Sequence, residues 1–216
     1  MFTLLRMSRL FVDYREVCPS LELLSYNFMK IRQEYLDTKD KLEYKDFTKQ
    51  QDSYIEENQK GYPITVMNYI KAENRDPSKN GWHMAAVFGH NIVNPANGPY
   101  LPTLVQTLRK IGDVSVCGIN ILDPGISLDW HNDDDYYTGA PTLRTLWGLD
   151  VPEESGKASI FQMRDDESGE VETREFKNNK IYAFWPKTTH RVENNLTKSR
   201  AVLAVDVFVP IELVPV

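Results

Sequence analysis

Residues 114–133 read VSVCGINILDPGISLDWHND. Val114 to Leu122 is an apolar run with strand-forming residues, Asp123-Pro124-Gly125 is a turn, and Ile126 to His131 is a second short run. Such a pair of runs around a Pro-Gly break reads as two strands joined by a turn. The same texture continues downstream. Leu143 to Val151, Ala158 to Met163, Glu170 to Phe176, Lys180 to Trp185, His190 to Glu193 and Ala201 to Val209 are further short runs. Glu153 to Gly156, Asp165 to Gly169, Asn178-Asn179 and Asn194-Asn195 punctuate them. About eight strands at this spacing predict a mainly β fold with flanking helices, a double-sheet jelly roll.

Upstream the pattern loosens. Trp82 to Phe88 and Ile64 to Ile70 read as strands, with a polar loop from Glu73 to Gly81 between them. A second loop spans Asn94 to Pro99. Leu101, Leu104, Val105 and Leu108 then share one side of a helix ending near Gly112. The first 60 residues are richer in Lys, Glu, Asp and Gln. Leu21, Leu24, Phe28, Ile31 and Tyr35 recur there at helical steps after Pro19-Ser20. One or two helices are expected, lying against the main sheet. The organisation read from this is a helical region, 1–60, packed on a β domain, 61–216, as one structural domain.

The bulk numbers exclude several classes. The chain has 216 residues, 41% hydrophobic and 26% charged, an ordinary globular composition. A net charge of -6 and a pI near 5.3 disfavour nonspecific contact with nucleic acid or anionic lipid. No apolar run reaches the roughly 20 residues needed to span a bilayer, and the start reads as neither signal peptide nor anchor. Two distant cysteines, Cys18 and Cys117, form no disulfide framework and no metal box, which fits a cytoplasmic protein.

The chemistry concentrates in His131, Asp133, His190 and Arg200. On a strand, residues i and i+2 share a face, so His131 and Asp133 can turn to one ion. His190 follows the turn Trp185 to Thr189, which can aim it into the mouth of the roll. Two imidazoles and a carboxylate are the facial ligand set of non-haem iron(II), with positions left open; a structural zinc site would need a fourth donor. Arg200 suits an acidic cosubstrate, because a guanidinium forks two hydrogen bonds onto a carboxylate. Arg144 interrupts the apolar run Leu143 to Trp147. Burial there is costly unless it meets an anion or a cavity; a solvated sheet face is the alternative. Asp129, Asp134 and Asp135 compete with Asp133 less well by position, parity or reach, and the three read as a solvated acidic loop. Trp130 should face away from the metal. Tyr136, Tyr137, Trp147 and Trp185 read mainly as core. His83 is a candidate substrate contact, His90 a loop residue, and Asp206 a buried carboxylate needing a partner.

LDPGISLDWH (122–131), LRTLWGL (143–149) with Val151-Pro152, KIYAFWPKTTHRVENN (180–195) and RAVLAVDV (200–207) together resemble the aspartyl/asparaginyl β-hydroxylase family. The resemblance covers roughly residues 80–210. It implies a double-stranded β-helix (jelly roll, cupin-like) and an iron(II)- and 2-oxoglutarate-dependent dioxygenase, related to bacterial proline hydroxylases. It implies that His131 and His190 bind iron and that Arg200 pairs with the far carboxylate of 2-oxoglutarate. By the same resemblance Arg144 binds the other carboxylate or the substrate, and Asn120 lies near the cosubstrate. Some members carry glycine where this chain has Asp133, so a complete triad is expected here. The expected reaction uses O2 and hydroxylates a C–H bond of an amino acid or amino-acid side chain, releasing succinate and CO2. Arg144 and the acidic loop offer charges complementary to such a substrate. The alternatives are a hydroxylase of Asp or Asn within a polypeptide and a non-catalytic cupin-like metal or small-molecule binder. A halogenase would need a small residue in place of Asp133.

Overall fold

The computed structural model describes residues 10–46, 81–89, 91–133 and 140–214. The strand expected over 64–70, the polar stretch 73–80, His90 and the acidic loop with Asp134, Asp135, Tyr136 and Tyr137 lie outside the described residues.

Four helices and eleven strands are described: α1 (Tyr14–Val17), α2 (Glu22–Tyr26), α3 (Phe28–Thr38), β1 (Lys45–Asp46), β2 (Trp82–Gly89), β3 (Ile92–Val93), α4 (Pro102–Ile111), β4 (Val114–Leu122), β5 (Ser127–His131), β6 (Thr142–Asp150), β7 (Ser159–Arg164), β8 (Val171–Glu175), β9 (Ile181–Phe184), β10 (Thr189–Asn194) and β11 (Arg200–Phe208). The expected strands from β4 onward appear within one or two residues of their predicted ends. They form two antiparallel sheets, β1-β2-β4-β11-β6-β9 with β3 beside β2, and β5-β10-β7-β8. From β4 to β11 the chain passes from sheet to sheet and places β4 beside β11, β5 beside β10, β6 beside both β9 and β11, and β7 beside both β8 and β10. This is the jelly-roll architecture that the strand spacing predicts.

The larger sheet is buried on both faces, and β11 shows why its sequence is almost continuously apolar. Ala201, Leu203, Val205 and Val207 point to a core shared with the helices, together with Cys117, Ile119, Leu143, Trp147 and Leu149. The alternate residues, Arg200, Val202, Ala204 and Asp206, line the cavity between the sheets. Leu21, Leu24, Ile31 and Tyr35 of the N-terminal helices are buried in the same core, and Phe28 meets Trp147 edge-on, with ring centroids 5.4 Å apart. Leu101, Leu104, Val105 and Leu108, the predicted face of α4, are buried beside them.

The helix expected after Pro19-Ser20 is interrupted. Asn27 turns its amide onto the Leu23 carbonyl at 2.9 Å and the Thr107 hydroxyl at 3.2 Å, and α2 ends there. A side chain that offers the backbone a competing partner is a natural place for a helix to stop. Glu34 then accepts from the Thr103 N–H at 2.9 and 3.0 Å, tying α3 to the first turn of α4. The β4–β5 connection turns at Asp123-Pro124-Gly125, closed by Ile126 N–H to the Asp123 carbonyl at 3.2 Å, with Gly125 at φ 72°. Pro followed by a residue of positive φ is the type II arrangement.

Candidate metal centre

β5 and β10 are neighbours, and their pairing carries the register irregularity that makes the site. His131 opposes His190, yet Leu128 opposes Val192. Three residues on β5 therefore match two on β10, a bulge. Leu128 and His131 both line the cavity as a result, which strict alternation from Leu128 would forbid. Trp130 is turned outward, where the guanidinium carbons of Arg164 and Arg191 lie 4.9 and 5.0 Å from its ring centroid.

β5 ends at His131, so Asp133 arrives on a loop, not by strand parity as the sequence suggested. Its N–H donates to the Pro186 carbonyl at 2.8 Å. Pro186 belongs to the turn before His190, which is closed by Thr188 N–H to the Trp185 carbonyl at 2.9 Å. One backbone bond thus links the segments that carry two of the three candidate donors.

His131, Asp133 and His190 offer one donor atom each, all within 4.8 Å of one another. The imidazole centroids are 4.3 Å apart, and Asp133 Oδ2 is 3.4 Å from His190 Nε2. His131 Nδ1 lies 2.5 Å from the Asp129 carbonyl and His190 Nδ1 2.8 Å from the Thr188 carbonyl. A carbonyl only accepts, so each Nδ1 carries the proton and each Nε2 keeps its lone pair. Burial pushes His131 down to about 3, helped by His190, and His190 down to about 4. Both rings are neutral at pH 7, the state a metal needs. Phe184 and Phe161 pack against His190 with centroids at 4.8 and 5.8 Å. The donor set, its neutral imidazoles and their backbone-held tautomers fit iron(II).

A family model described as aspartyl/asparaginyl beta-hydroxylase matches residues 25–210. The chain belongs to that family. The match begins well upstream of the residues that carry the motifs and takes in α3. Among solved structures, the chain is similar to a prolyl-4-hydroxylase of Pseudomonas putida (12% identity, TM-score 0.44, 84% of this chain and 99% of that one). It is also similar to a Cupin_2 domain of an XRE-family transcriptional regulator from Enterobacter cloacae (12%, 0.36, 60% and 99%). A third likeness is to Peruvianin-I, a cysteine peptidase from Thevetia peruviana latex (11%, 0.37, 59% of this chain), of which the chain spans 62%. None of the curated proteins compared with it matches.

In this member of the hydroxylase family, Arg200 is the first residue of β11, opposite Leu122. It is 3% exposed. Its Nε is 3.3 Å from Ser159 Oγ, its Nη1 3.4 Å from the Asn120 carbonyl, and its guanidinium lies 4.9 Å from the Phe176 ring centroid. No carboxylate among the described residues pairs with it. Burial lowers it to about 9, so the guanidinium stays charged at neutral pH. Asn120 faces the cavity and accepts from Trp82 Nε1 at 2.9 Å.

Arg144 also faces the cavity, but its fork is filled. Nε donates to Asp206 Oδ1 at 2.8 Å and Nη2 to Asp206 Oδ2 at 2.6 Å, while Nη1 donates to Asp133 Oδ2. The family resemblance implies a cosubstrate or substrate carboxylate at Arg144; in this structure the fork holds a carboxylate of the chain itself. Asp129 supplies a backbone oxygen to His131 and is not a donor in the triad. His83 turns out of the cavity, with Nε2 3.1 Å from Asp123 Oδ2, whereas its neighbour Trp82 faces in. Sequence reasoning passed over Trp82 and Asp206 as cavity residues. The signal for Asp206 was available, since it lies six residues from Arg200 on one strand and so shares its face.

Proposed function

We propose that the protein is an iron(II)- and 2-oxoglutarate-dependent dioxygenase that hydroxylates an amino acid or an amino-acid side chain. Membership of the β-hydroxylase family supports hydroxylation, and two neutral imidazoles beside one carboxylate support iron as the metal. The observation that carries the reading is Arg200, a buried cation on the cavity wall without an acidic partner among the described residues. An unpaired charge in such surroundings costs several kcal/mol, and a dianionic 2-oxo acid would offset that cost. His131, Asp133 and His190 would hold the metal, Arg200 the far carboxylate, and Asn120 the wall beside it. Iron(II) with a 2-oxo acid and oxygen supplies the oxidation that converts a C–H bond to an alcohol with release of succinate and CO2. The chain's own part is to bind, orient and exclude water. Arg200 fixes the cosubstrate's distal end, and Phe184, Leu128, Val192 and Leu146 keep the cavity dry. The N-terminal helices and the roll share one core in this reading and act as one structural unit.

The test is a 2-oxoglutarate decarboxylation screen with iron(II) across free amino acids and short peptides, with His131→Ala as the blank. Succinate formation that requires iron and one substrate class supports the proposal and separates free from peptidyl substrates. Absence of turnover across the panel, together with no 2-oxoglutarate binding to the metal-loaded protein, overturns it.

A further inference from the structure

The Arg144–Asp206 ion pair stands beside the triad and has no part in the reaction as proposed. Asp206 and Arg144 are directly opposed on neighbouring strands β11 and β6. The pairing of β11 with β4 is irregular at the same place, where Asp206 opposes Val116 and Val207 opposes Val114. β11 is thus irregular on its β4 side at the residue that meets Arg144 on its β6 side. Both Asp206 oxygens accept from Arg144, at 2.8 and 2.6 Å. The side chains are only 21% and 10% exposed.

A guanidinium is a rigid plane. Once two of its nitrogens are held by a carboxylate, the direction of the third is fixed. That third nitrogen, Nη1, donates to Asp133 Oδ2, the same oxygen that lies 3.4 Å from His190 Nε2. Asp133 sits on a loop, where no strand pairing holds its side chain. Its orientation has to come from hydrogen bonds, and among the described residues the bond from Arg144 reaches its carboxylate from the larger sheet.

We infer that Asp206 is a positioning residue: by clamping Arg144 at two points, it aims the guanidinium that holds the Asp133 carboxylate toward the two histidines. Asp206 acts at one remove, through Arg144. Lysine could not replace Arg144, because a point charge on a flexible stem cannot face two carboxylates in one plane. The inference rests on the triad being a metal site, and its test separates the two.

Cobalt(II) is the probe, read by titration for its dissociation constant and by visible absorption for its ligand field. Four proteins are compared with wild type: His131→Ala, Asp206→Asn, Arg144→Lys, and the double variant Arg144→Met with Asp206→Leu. The double variant removes both charges of the clamp together and leaves Asp133 as the carboxylate of the cluster, so its metal-free melting temperature is what establishes that it folds. Metal-free melting temperatures are recorded for all. Loss of partners that orient metal ligands typically costs about 10–100-fold in affinity. That loss, with an altered absorption band, is expected for Asp206→Asn, Arg144→Lys and the double variant. Wild-type or tighter binding with an unchanged spectrum in the folded double variant overturns the positioning role. Tighter binding would show that Arg144 competes with the metal for Asp133. If wild type binds no cobalt, or His131→Ala binds as well as wild type, the metal reading fails and this inference falls with it. If His131→Ala loses the metal while the other variants keep it, the positioning role alone falls.

Discussion

Asp133 Oδ2 stands 3.4 Å from His190 Nε2 although one residue is carried by a loop after β5 and the other by the start of β10. The Asp133 N–H bond to Pro186 holds the two segments at that separation. Removing the carboxylate leaves this backbone bond and the Arg144–Asp206 pair in place. Asp133→Ala is therefore expected to fold, with a stability loss of about 1.5–3 kcal/mol, the net worth of a hydrogen bond between charged groups. Its iron(II) or cobalt(II) affinity should fall by at least the ~10–100-fold seen for loss of supporting groups. Equilibrium denaturation and metal titration read the two effects separately; wild-type affinity would remove Asp133 from the site.

Arg200 makes an opposite pair of predictions. Its buried charge opposes folding until an anion meets it, so Arg200→Leu should raise the melting temperature of the cosubstrate-free protein. Each kcal/mol is worth about 2–4 °C in a chain of this size. The same variant should lose the stabilisation that 2-oxoglutarate gives wild type, about 2.7 kcal/mol at a hundred times Kd. The pH dependence follows from the sign of the shift. The guanidinium is lowered to about 9 in the folded protein, so above that value the unfolded chain binds more protons and the penalty is relieved as pH rises. Below it the penalty is complete. The difference between wild type and Arg200→Leu should stay flat from pH 6 to 8 in thermal denaturation.

Much of this was legible from the chain. β4 and β11 announce themselves because both faces of each strand are buried, giving the apolar runs Val114–Leu122 and Ala201–Val209, and Arg200 stands out as a charge at the edge of one of them. The helix faces of Leu21 to Tyr35 and Leu101 to Leu108 follow from periodicity alone. The bulge in β5 was not legible, because an extra residue between Leu128 and His131 changes no composition and leaves no turn residue behind. Asp133 joins the candidate triad from a loop, which the parity argument does not describe. The partner of Arg144 was hidden for a different reason. It lies on another strand, and only the β6–β11 register brings Asp206 opposite.

Trp130 is next to His131 in sequence and on the far side of the sheet from it. Its ring lies against both Arg164 and Arg191, and cation–π contacts of this exposure are worth roughly 0.5–1 kcal/mol each. Trp130→Ala should lower stability by about 1–2 kcal/mol by that reckoning. Metal affinity should stay within a factor of about two, since less than 0.5 kcal/mol of change is expected away from the site. A metal affinity reduced tenfold would mean that the outward face of the bulge feeds back on His131.

Gly148, near the end of β6, stands where a side chain has no room. A Cβ there would lie 2.7 Å from the Lys177 carbonyl carbon and closer still to its oxygen. The turn of Lys177 to Lys180 presses against the strand at this point. Gly148 N–H donates to the Lys180 carbonyl at 3.1 Å and Asn179 N–H to the Gly148 carbonyl at 2.9 Å. Asn178 brackets Val151 from the same turn, at 2.8 and 3.0 Å. The clash is with backbone, which cannot swing aside as a side chain can, so Gly148→Ala should cost about 1–3 kcal/mol or more. Urea denaturation should show a lower midpoint with an unchanged slope. β9 begins directly after this turn and leads to Phe184, which packs on His190. A shift of the turn should therefore also weaken metal binding, whereas a local strain absorbed by Lys177 would leave metal affinity at the wild-type value.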